Sequence, residues 1–465
     1  MKRLFVPDLA LFMALLTLVY CIFFCNAPRS FFRDSSTGQQ IVMGEKILSD
    51  RHVPRTETSI AWGWASDCAM GFADSHAGLP AVVWLFAVSI AIVTWLWFQL
   101  NWECGGNFFF ALILTVPMLA TTQLQWTASP HIFGWLLLLT ALLYFEKAPT
   151  QFRIRNAFLL ASAGALWANV DTSFPLLPVI ALIYGVSHLA RPFIWQTESA
   201  IDLRKGRWFL LASLFSGLAT LLNPYGWNLH VHLADSIGPA FQYHLAAGPW
   251  IALGIAAAGG TLALCEKKLA HFILALVFVG GAIRFPQMLP LMALVMLPLA
   301  NGAITHALHR AKDLRVGLRR ALNVYLAYSD RWRLLDARFS GIALAPFAAV
   351  LLWLFLQIPS IASYTGFLPD EFPVYGANEV AQLSPNIRLL STRKYSDYLI
   401  YRFRGKLKVF TADSSRQDPE RFRFSHALLP NDDPLVPALQ RMGWKVLFRD
   451  DLSTLLVNNE VKVSS

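Results

Sequence analysis

The sequence predicts a polytopic α-helical membrane protein of about eleven transmembrane helices, followed by a small C-terminal α/β domain. Three observations predict it. The 465 residues are 55% hydrophobic and 15% charged, with mean hydropathy +0.46, whereas a soluble domain carries about 25% charged residues. Apolar runs recur near the length of about 17–25 residues that crosses a hydrocarbon core of about 30 Å. Lys and Arg gather in alternate connections between those runs.

The first run, Asp8–Phe24, follows Lys2 and Arg3. This opening also resembles a secretory signal peptide ending at Cys25-Asn26-Ala27, but the polytopic chain behind it favours an uncleaved first span. Further runs are Leu79–Leu100, Phe108–Thr122, His131–Phe145, Ala157–Val170 and Phe174–Leu189. Phe209–Leu222, Trp250–Leu264, Phe272–Ile283, Pro286–Ile304 and Gly341–Ile358 complete the set. Several are short for a span, so they extend into their polar flanks or enter the bilayer only in part.

Charge orients these runs. With Lys2 and Arg3 inside, the inner connections are Asn101–Asn107, Glu146–Asn156, Ala190–Arg207, Glu266–Ala270 and Thr305–Ser340. The last four carry Lys147, Arg153, Arg155, Arg191, Arg204, Lys205, Arg207, Lys267, Lys268 and a basic series from Arg310 to Arg338. The outer connections Gln123–Pro130 and Asn223–Gly248 hold no Lys or Arg. That asymmetry follows the positive-inside rule for a cytoplasmic membrane. It puts the N-terminus in the cytoplasm and the loop after the first span, with the C-terminal tail, outside. The net charge of +10 is spread over the inner connections rather than one soluble face, which excludes nucleic acid as a partner.

Within a transmembrane domain of residues 1–358, two connections stand out. The outer loop 26–78 is too long and polar for a hairpin, and connections of that size are commonly functional. Gln40–Ser49 reads as an amphipathic helix, followed by a turn at Pro54-Arg55 and a patch with Trp62, Trp64 and Asp67. The inner segment 305–340 is basic and interleaved with Leu, Val, Tyr and Trp. It reads as one or two amphipathic helices lying on membrane lipids.

Residues 359–465 form the expected extracytoplasmic domain. Tyr375–Leu383 and Leu435–Met442 read as helices, and Ile387–Leu390, Tyr398–Phe403 and Lys408–Phe410 as short strands. Lys445–Arg449 and Ser453–Val457 read as a hairpin around Asp450-Asp451. Five cysteines occur, none in this tail, so it is no disulfide scaffold, and no Cys/His zinc spacing is present.

Polar groups that a bilayer penalises mark candidate sites. Asp34, Glu57 and Asp67 lie in the outer loop, where a carboxylate can act as general base or simply pair with Arg33, Arg51 or Arg55. In Trp167-Ala-Asn-Val-Asp171-Thr-Ser173, Asn169 and Asp171 either bind sugar hydroxyls, hold a divalent cation, or cap the next helix. Asn223-Pro-Tyr-Gly226 precedes His230 and His232, suited to a phosphate or hydroxyl; two imidazoles without a third ligand are not a metal site. Arg284, between apolar runs and before Pro286, fits a lipid phosphate or snorkels to the interface.

The order of these features resembles the GT-C superfamily of polytopic glycosyltransferases. It is similar, more narrowly, to a bacterial group with a D-S-D-T-G-W-H-I-x-x-G-E-x-I-L first loop and a V-P-R-T-D motif. Asp34-Ser-Ser-Thr-Gly-Gln-Gln-Ile-Val-Met-Gly-Glu-Lys-Ile-Leu48 and Val53-Pro-Arg-Thr-Glu57 follow that frame without a gap. Trp167–Phe174 resembles the group's W-x-N-x-H-x-S-F, Asn223–Gly226 its N-P-Y-G, and Arg284 its Arg before the last spans. Ser396–Arg402 and Trp444–Asp451 resemble its G-Y-L-I-Y-R and W-x-x-x-x-x-D-D stretches. The chain departs from the pattern at Ser36, Gln39, Gln40, Glu57 and Asp171.

The resemblance implies transfer from a polyprenyl-phosphate-linked sugar on the outer face of the membrane. Asp34 would deprotonate an acceptor hydroxyl, which attacks the anomeric carbon with inversion. Arg284 and Arg55 would stabilise the departing phosphate, while Glu57, Asp67, Asn169, Asp171, His230 and His232 would contact substrate. The departures motivate a second expectation: a member of the fold without catalysis, serving as scaffold or partner of envelope-polysaccharide assembly proteins. A transporter is a third, though no internal repeat or paired broken helices are present.

Overall fold

The computed structural model describes residues 4–23, 28–56, 59–149, 151–196, 199–235, 247–311, 315–384, 387–411 and 424–458, with backbone alone at 55, 56, 59, 60, 199 and 235. Among the described residues each apolar run read from the sequence is mainly helical. In order they are α1 (Leu9–Phe23), α2 (Ser36–Asp50), α3 (Trp64–Glu103), α4 (Phe108–Thr122), α5 (His131–Glu146) and α6 (Ile154–Val170). Then come α7 (Leu176–Trp195), α8 (Ser199–Ala219), α9 (Asn228–Asp235), α10 (Ala247–Cys265), α11 (Leu269–Arg284), α12 (Leu289–Arg310), α13 (Val316–Asp336) and α14 (Leu344–Leu356). Among the described residues five helices are long and apolar enough to cross a membrane, and α1, α5, α11 and α14 are shorter apolar helices. The protein is therefore a largely helical membrane protein.

Two compact units make up the chain. One comprises residues 1–20, 87–126 and 130–352; the other comprises 21–86, 127–129 and 353–465.

In the first unit α12 is the central helix. From Leu289 to Ala303 every residue but the half-buried Leu291 is buried, because a helix that is apolar all round has no face to offer water. Small residues bring its neighbours close. A Cβ on Gly259 of α10 would stand 2.2 Å from the Ala300 Cβ, and one on Gly164 of α6 would stand 2.4 Å from the Ser216 carbonyl, the small-residue contact typical of membrane helices. Asn301, fully buried, donates to the Asn101 Oδ1 at 2.9 Å and accepts from the Asn107 N–H at 2.9 Å. Among the described residues the basic segment comprises the end of α12 and one further helix, α13. One face docks on α4: Ser329 Oγ accepts from the Phe108 N–H at 3.1 Å, Tyr325 donates to Asn107 Oδ1 at 3.1 Å, and Trp332 stacks on Phe108. Arg319, Arg320 and Arg331 stay exposed.

In the second unit α2 packs against the start of α3 through glycines. A Cβ on Gly44 would lie 1.7 Å from the Asp67 carbonyl oxygen, and one on Gly71 would lie 2.4 Å from the Glu45 nitrogen. Helix α3 then breaks at Ala77-Gly78, where Gly78 takes φ +67° ahead of Pro80. A proline inside a helix removes a hydrogen bond and clashes with the preceding turn, and glycine accepts the positive φ without cost from a Cβ.

The tail adds α15 (Pro359–Tyr364), α16 (Val374–Ala381), α17 (Arg393–Arg402) and α18 (Leu435–Arg441). Strands β1 (Arg55–Thr56) and β2 (Ser59–Ile60) form a short antiparallel pair in the first loop. A five-stranded mixed sheet contains β3 (Arg388–Ser391), β4 (Lys408–Thr411), β5 (His426–Pro430), β6 (Lys445–Arg449) and β7 (Ser453–Val457), in the order β4-β3-β5-β7-β6. β3 is parallel to β4 and β5, while β7 runs antiparallel to β5 and β6. Leu390, Ala427, Leu429, Val436 and Leu456 form the core on one face.

One expectation is corrected here. Tyr398–Phe403 is not a strand: Tyr398–Arg402 belongs to α17 and Phe403 is its C-terminal cap. Parallel neighbours such as β3 and β4 need a crossover, most often a helix, and Tyr395, Tyr398 and Leu399 fall on one helical face, all buried.

Candidate functional site

The backbone of Asp34 precedes α2, and its carboxylate holds the start of that helix. Oδ1 accepts from the Ser36 N–H at 3.0 Å, satisfying one of the donors a helix N-terminus leaves open. The side chain is half-buried, and among the described residues its other oxygen accepts no hydrogen bond. The next residue, Ser35, donates its hydroxyl to Asp397 Oδ2 on α17 at 3.3 Å. Asp397 is buried. Burial raises its pKa and the nearby Asp34 charge adds to the rise, against the pull of the Ser35 hydroxyl and Arg393. Two carboxylates thus share one corner at the head of α2. Arg33 is turned elsewhere, its Nε donating to the Ser30 carbonyl at 3.1 Å.

Three turns along α2 a second cluster joins the same helices. Arg404, just past α17, contacts Glu45 of α2 and Asp74 of α3, each at 2.7 Å. Tyr401 donates to Asp74 Oδ1 at 3.3 Å. The Asp74 side chain is 0% exposed. Burial raises the Glu45 pKa despite the Arg404 charge, and burial together with Asp74 raises that of the Tyr401 phenol. Of these residues only Asp34 stood out in the sequence. Asp397, Tyr401 and Arg404 lie in or next to the Ser396–Arg402 motif, so a signal for them was present, but a strand reading of Tyr398–Phe403 sends alternate side chains to opposite faces and hides it.

Asp67 is in the first turn of α3 and is buried. Glu57 lies outside the described residues, and for Arg55 the backbone alone is described, in β1.

In the first unit the Asn169 and Asn223 motifs converge. Asn169, near the end of α6, donates to its own helix at the Ala165 carbonyl (2.7 Å) and to the Leu222 carbonyl beyond α8 (2.9 Å). Asp171 accepts from the Ser173 N–H at 3.1 Å and from the Ser173 hydroxyl, which in turn accepts from the Trp167 indole at 3.1 Å. This is helix-capping geometry at the entry to α7. A Cβ on Gly134 of α5 would stand 2.3 Å from Asp171 Oδ2, so α5 closes over the carboxylate. Asn223 accepts from the Tyr225 N–H at 2.8 Å and shapes the Pro-Tyr-Gly turn, with Gly226 at φ +55°. His230 then stacks on Trp227, meets Phe174 edge-on, and has Nε2 3.0 Å from the Thr220 hydroxyl. His232 is half-buried one turn from the start of α9.

Arg284 ends α11. It is exposed, with its guanidinium 5.2 Å from the Phe285 ring centre, and it makes no salt bridge among the described residues. The turn after it is anchored by Gln125, which donates to the Gln287 carbonyl at 3.1 Å. Among the described residues, no three His, Cys, Asp or Glu side chains come together as a metal site.

Fold and clusters define a helical membrane protein with a mixed-sheet domain and paired carboxylates at one helix N-terminus. No family model matches the chain, and no curated protein does. Among solved structures it is similar to the crystal structure of ArnT from Cupriavidus metallidurans bound to undecaprenyl phosphate, at 12% identity and TM-score 0.49, over 96% of this chain and 97% of that one.

Proposed function

We propose that the protein is a GT-C-type glycosyltransferase of the bacterial cytoplasmic membrane. It takes sugar from a polyprenyl-phosphate donor and transfers it on the outer face, with residues 359–465 extracytoplasmic and the N-terminus in the cytoplasm. Asp34 is the general base and Arg284 the cation that meets the leaving phosphate. The observation that carries the reading is the state of Asp34. It keeps one oxygen on the Ser36 N–H, which fixes the carboxylate, and the second is left to receive a proton from an acceptor hydroxyl. The guanidinium of Arg284, exposed and without a salt bridge among the described residues, supplies a positive charge whose attraction to the phosphate strengthens as it departs.

Asp34→Asn tests this without disturbing the helix start, because the amide oxygen still accepts from Ser36. Transfer from a polyprenyl-phosphate sugar in purified membranes falls by about 10²–10⁴ if the carboxylate is the base. Undiminished transfer rejects the assignment.

A second reading, a non-catalytic scaffold for envelope-polysaccharide assembly, is favoured by the structural work Asp34 already does at α2 and by the departures at Ser36, Gln39 and Gln40. It expects Asp34→Asn to leave polysaccharide assembly intact while deletion of residues 359–465 abolishes co-purification of a partner.

A further inference from the structure

A pocket of about 220 Å³ opens in the first unit where α5, α7, α8 and α11 meet, lined among others by Glu146, Ser187, Arg191, Lys205, Lys268 and His271. It lies at the Glu146 end of α5. Asp171 packs near the other end, beside Gly134, and the 16 residues of α5 make about 24 Å at 1.5 Å per residue. It is thus a separate place from the Asn169–His230 cluster. The charge pattern of the sequence assigns this end to the cytoplasm, since Lys147, Arg191, Lys205 and Lys268 belong to the inner connections.

The chemistry of the lining is one-sided. The carboxylate here, Glu146, has Oε1 occupied by two donors: the Tyr184 hydroxyl and His271 Nε2, the latter at 2.9 Å. Asp202 behind the wall is likewise taken, by His188 Nδ1 at 2.9 Å and Arg191 at 3.0 Å. What faces the pocket without a partner is a set of donors. Among the described residues Ser187 Oγ and Arg191 Nε are buried with no hydrogen-bond partner, and Ser187 is more than nine-tenths buried. Lys205 and Lys268 make no salt bridge among the described residues. A buried donor left unpaired is costly. Two of them lining one hollow beside two ammonium groups describe an acceptor-rich, negatively charged ligand.

We infer that this pocket is a binding site for a phosphate group, held by Lys205, Lys268, Arg191 and Ser187. A phosphate supplies several acceptor oxygens and negative charge in a volume the hollow accommodates. The group is carried either by a small soluble molecule or by a lipid head, and both present the same oxyanion. The inference stands whether or not the protein transfers sugar.

The test uses the full chain, purified without phosphate. Thermal unfolding is followed against added inorganic phosphate in micelles, and in phosphatidylcholine nanodiscs with and without phosphatidic acid. The variants are Lys205→Ala/Lys268→Ala, Lys268→Gln alone in case the double variant folds poorly, and Lys147→Ala as a basic control paired with Glu103. Saturable stabilisation of the wild type and of Lys147→Ala is expected. It weakens at least about tenfold on loss of Lys268, the effect of one charge-assisted contact. A response to inorganic phosphate assigns a soluble phosphate; a response only to phosphatidic acid assigns a lipid head. Absence of both, or a response unchanged in the Lys268 variants, overturns the site.

Discussion

Replacing Arg404 by Ala isolates the contact that ties α2, α3 and α17 together. The guanidinium stands 2.7 Å from both Glu45 and Asp74, and Asp74 is fully shielded from solvent. Removing the cation leaves the buried Asp74 carboxylate with the Tyr401 hydroxyl, at 3.3 Å, and the neighbouring Glu45 carboxyl. Breaking a fully buried pair from one side costs about 3–5 kcal/mol. The Arg404 side chain is 41% exposed, so water entering its place re-solvates Asp74 in part and brings the expected loss to about 2–3 kcal/mol. The assay is equilibrium unfolding of the full chain in mixed micelles, read by the fluorescence of the tryptophans. The diagnostic arm is Asp74→Asn in the Arg404→Ala background. Neutralising the stranded charge recovers about half the loss, so the two substitutions are strongly non-additive. A single-variant loss below about 0.5 kcal/mol, the scale of exposed ion pairs, or strict additivity in the double variant, refutes the reasoning.

Asp397→Asn is expected to stabilise the protein at neutral pH. Burial raises the native pKa above the ordinary value of 3.8, so the native state holds its proton more tightly than the unfolded chain. Its contribution is fully present below 3.8 and is lost as pH rises through the raised value, so melting curves of wild type and variant converge in acid and separate at pH 7. Gly44→Ala puts a methyl into the Asp67 carbonyl and should cost about 1–3 kcal/mol, or more where backbone cannot move; a melt unchanged from wild type counts against the α2–α3 interlock. Asn301→Leu strands the Asn101 amide oxygen in a dry interior and leaves the Asn107 N–H to the Thr305 hydroxyl alone, costing about 1–3 kcal/mol for the buried group left unpaired, read as a lowered melting temperature with α-helical content unchanged.

The helical part of the fold was open to sequence reasoning because a bilayer demands long apolar helices and rewards little else. The predicted ends of Phe108–Thr122 coincide with α4, and His131–Phe145 differs from α5 by a single residue. Span count is a different matter: α1, α5, α11 and α14 are shorter than a comfortable crossing, and hydropathy alone does not say how such helices meet the lipid. In the tail the hairpin of β6 and β7 was readable from its turn at Asp450-Asp451. Strand β5 was not. His426-Ala-Leu-Leu-Pro430 lies between β3 and β7 with His426–Leu429 buried, and a strand covered on both faces loses the alternation that gives strands away.

For the candidate site, the same division separates what one residue type announces from what packing creates. Asp34 announces itself as a carboxylate ahead of a helix, and the structure finds it with its oxygen on the Ser36 N–H. Asp397 has no such signature, since an Asp among Ser396 and Tyr398 is compatible with any solvated turn. Its meaning comes from α17 lying along α2, which brings it to the Ser35 hydroxyl. The glycines on α2 allow that approach: a Cβ on Gly38 would stand 2.8 Å from the Tyr401 Cβ and 3.0 Å from the Asp397 carbonyl oxygen. A motif spelled Asp34-Ser-Ser-Thr-Gly38 therefore carries two kinds of information. The polar residues supply groups for chemistry, while Gly38 sets how near the second carboxylate can come. Gly38→Ala is the substitution that separates them, because it alters no polar atom. If the Asp34–Asp397 corner matters to transfer, pushing α17 away lowers activity while the Asp34 cap on Ser36 survives. If transfer is unaffected by that displacement, Asp397 is a structural neighbour and Asp34 acts without it.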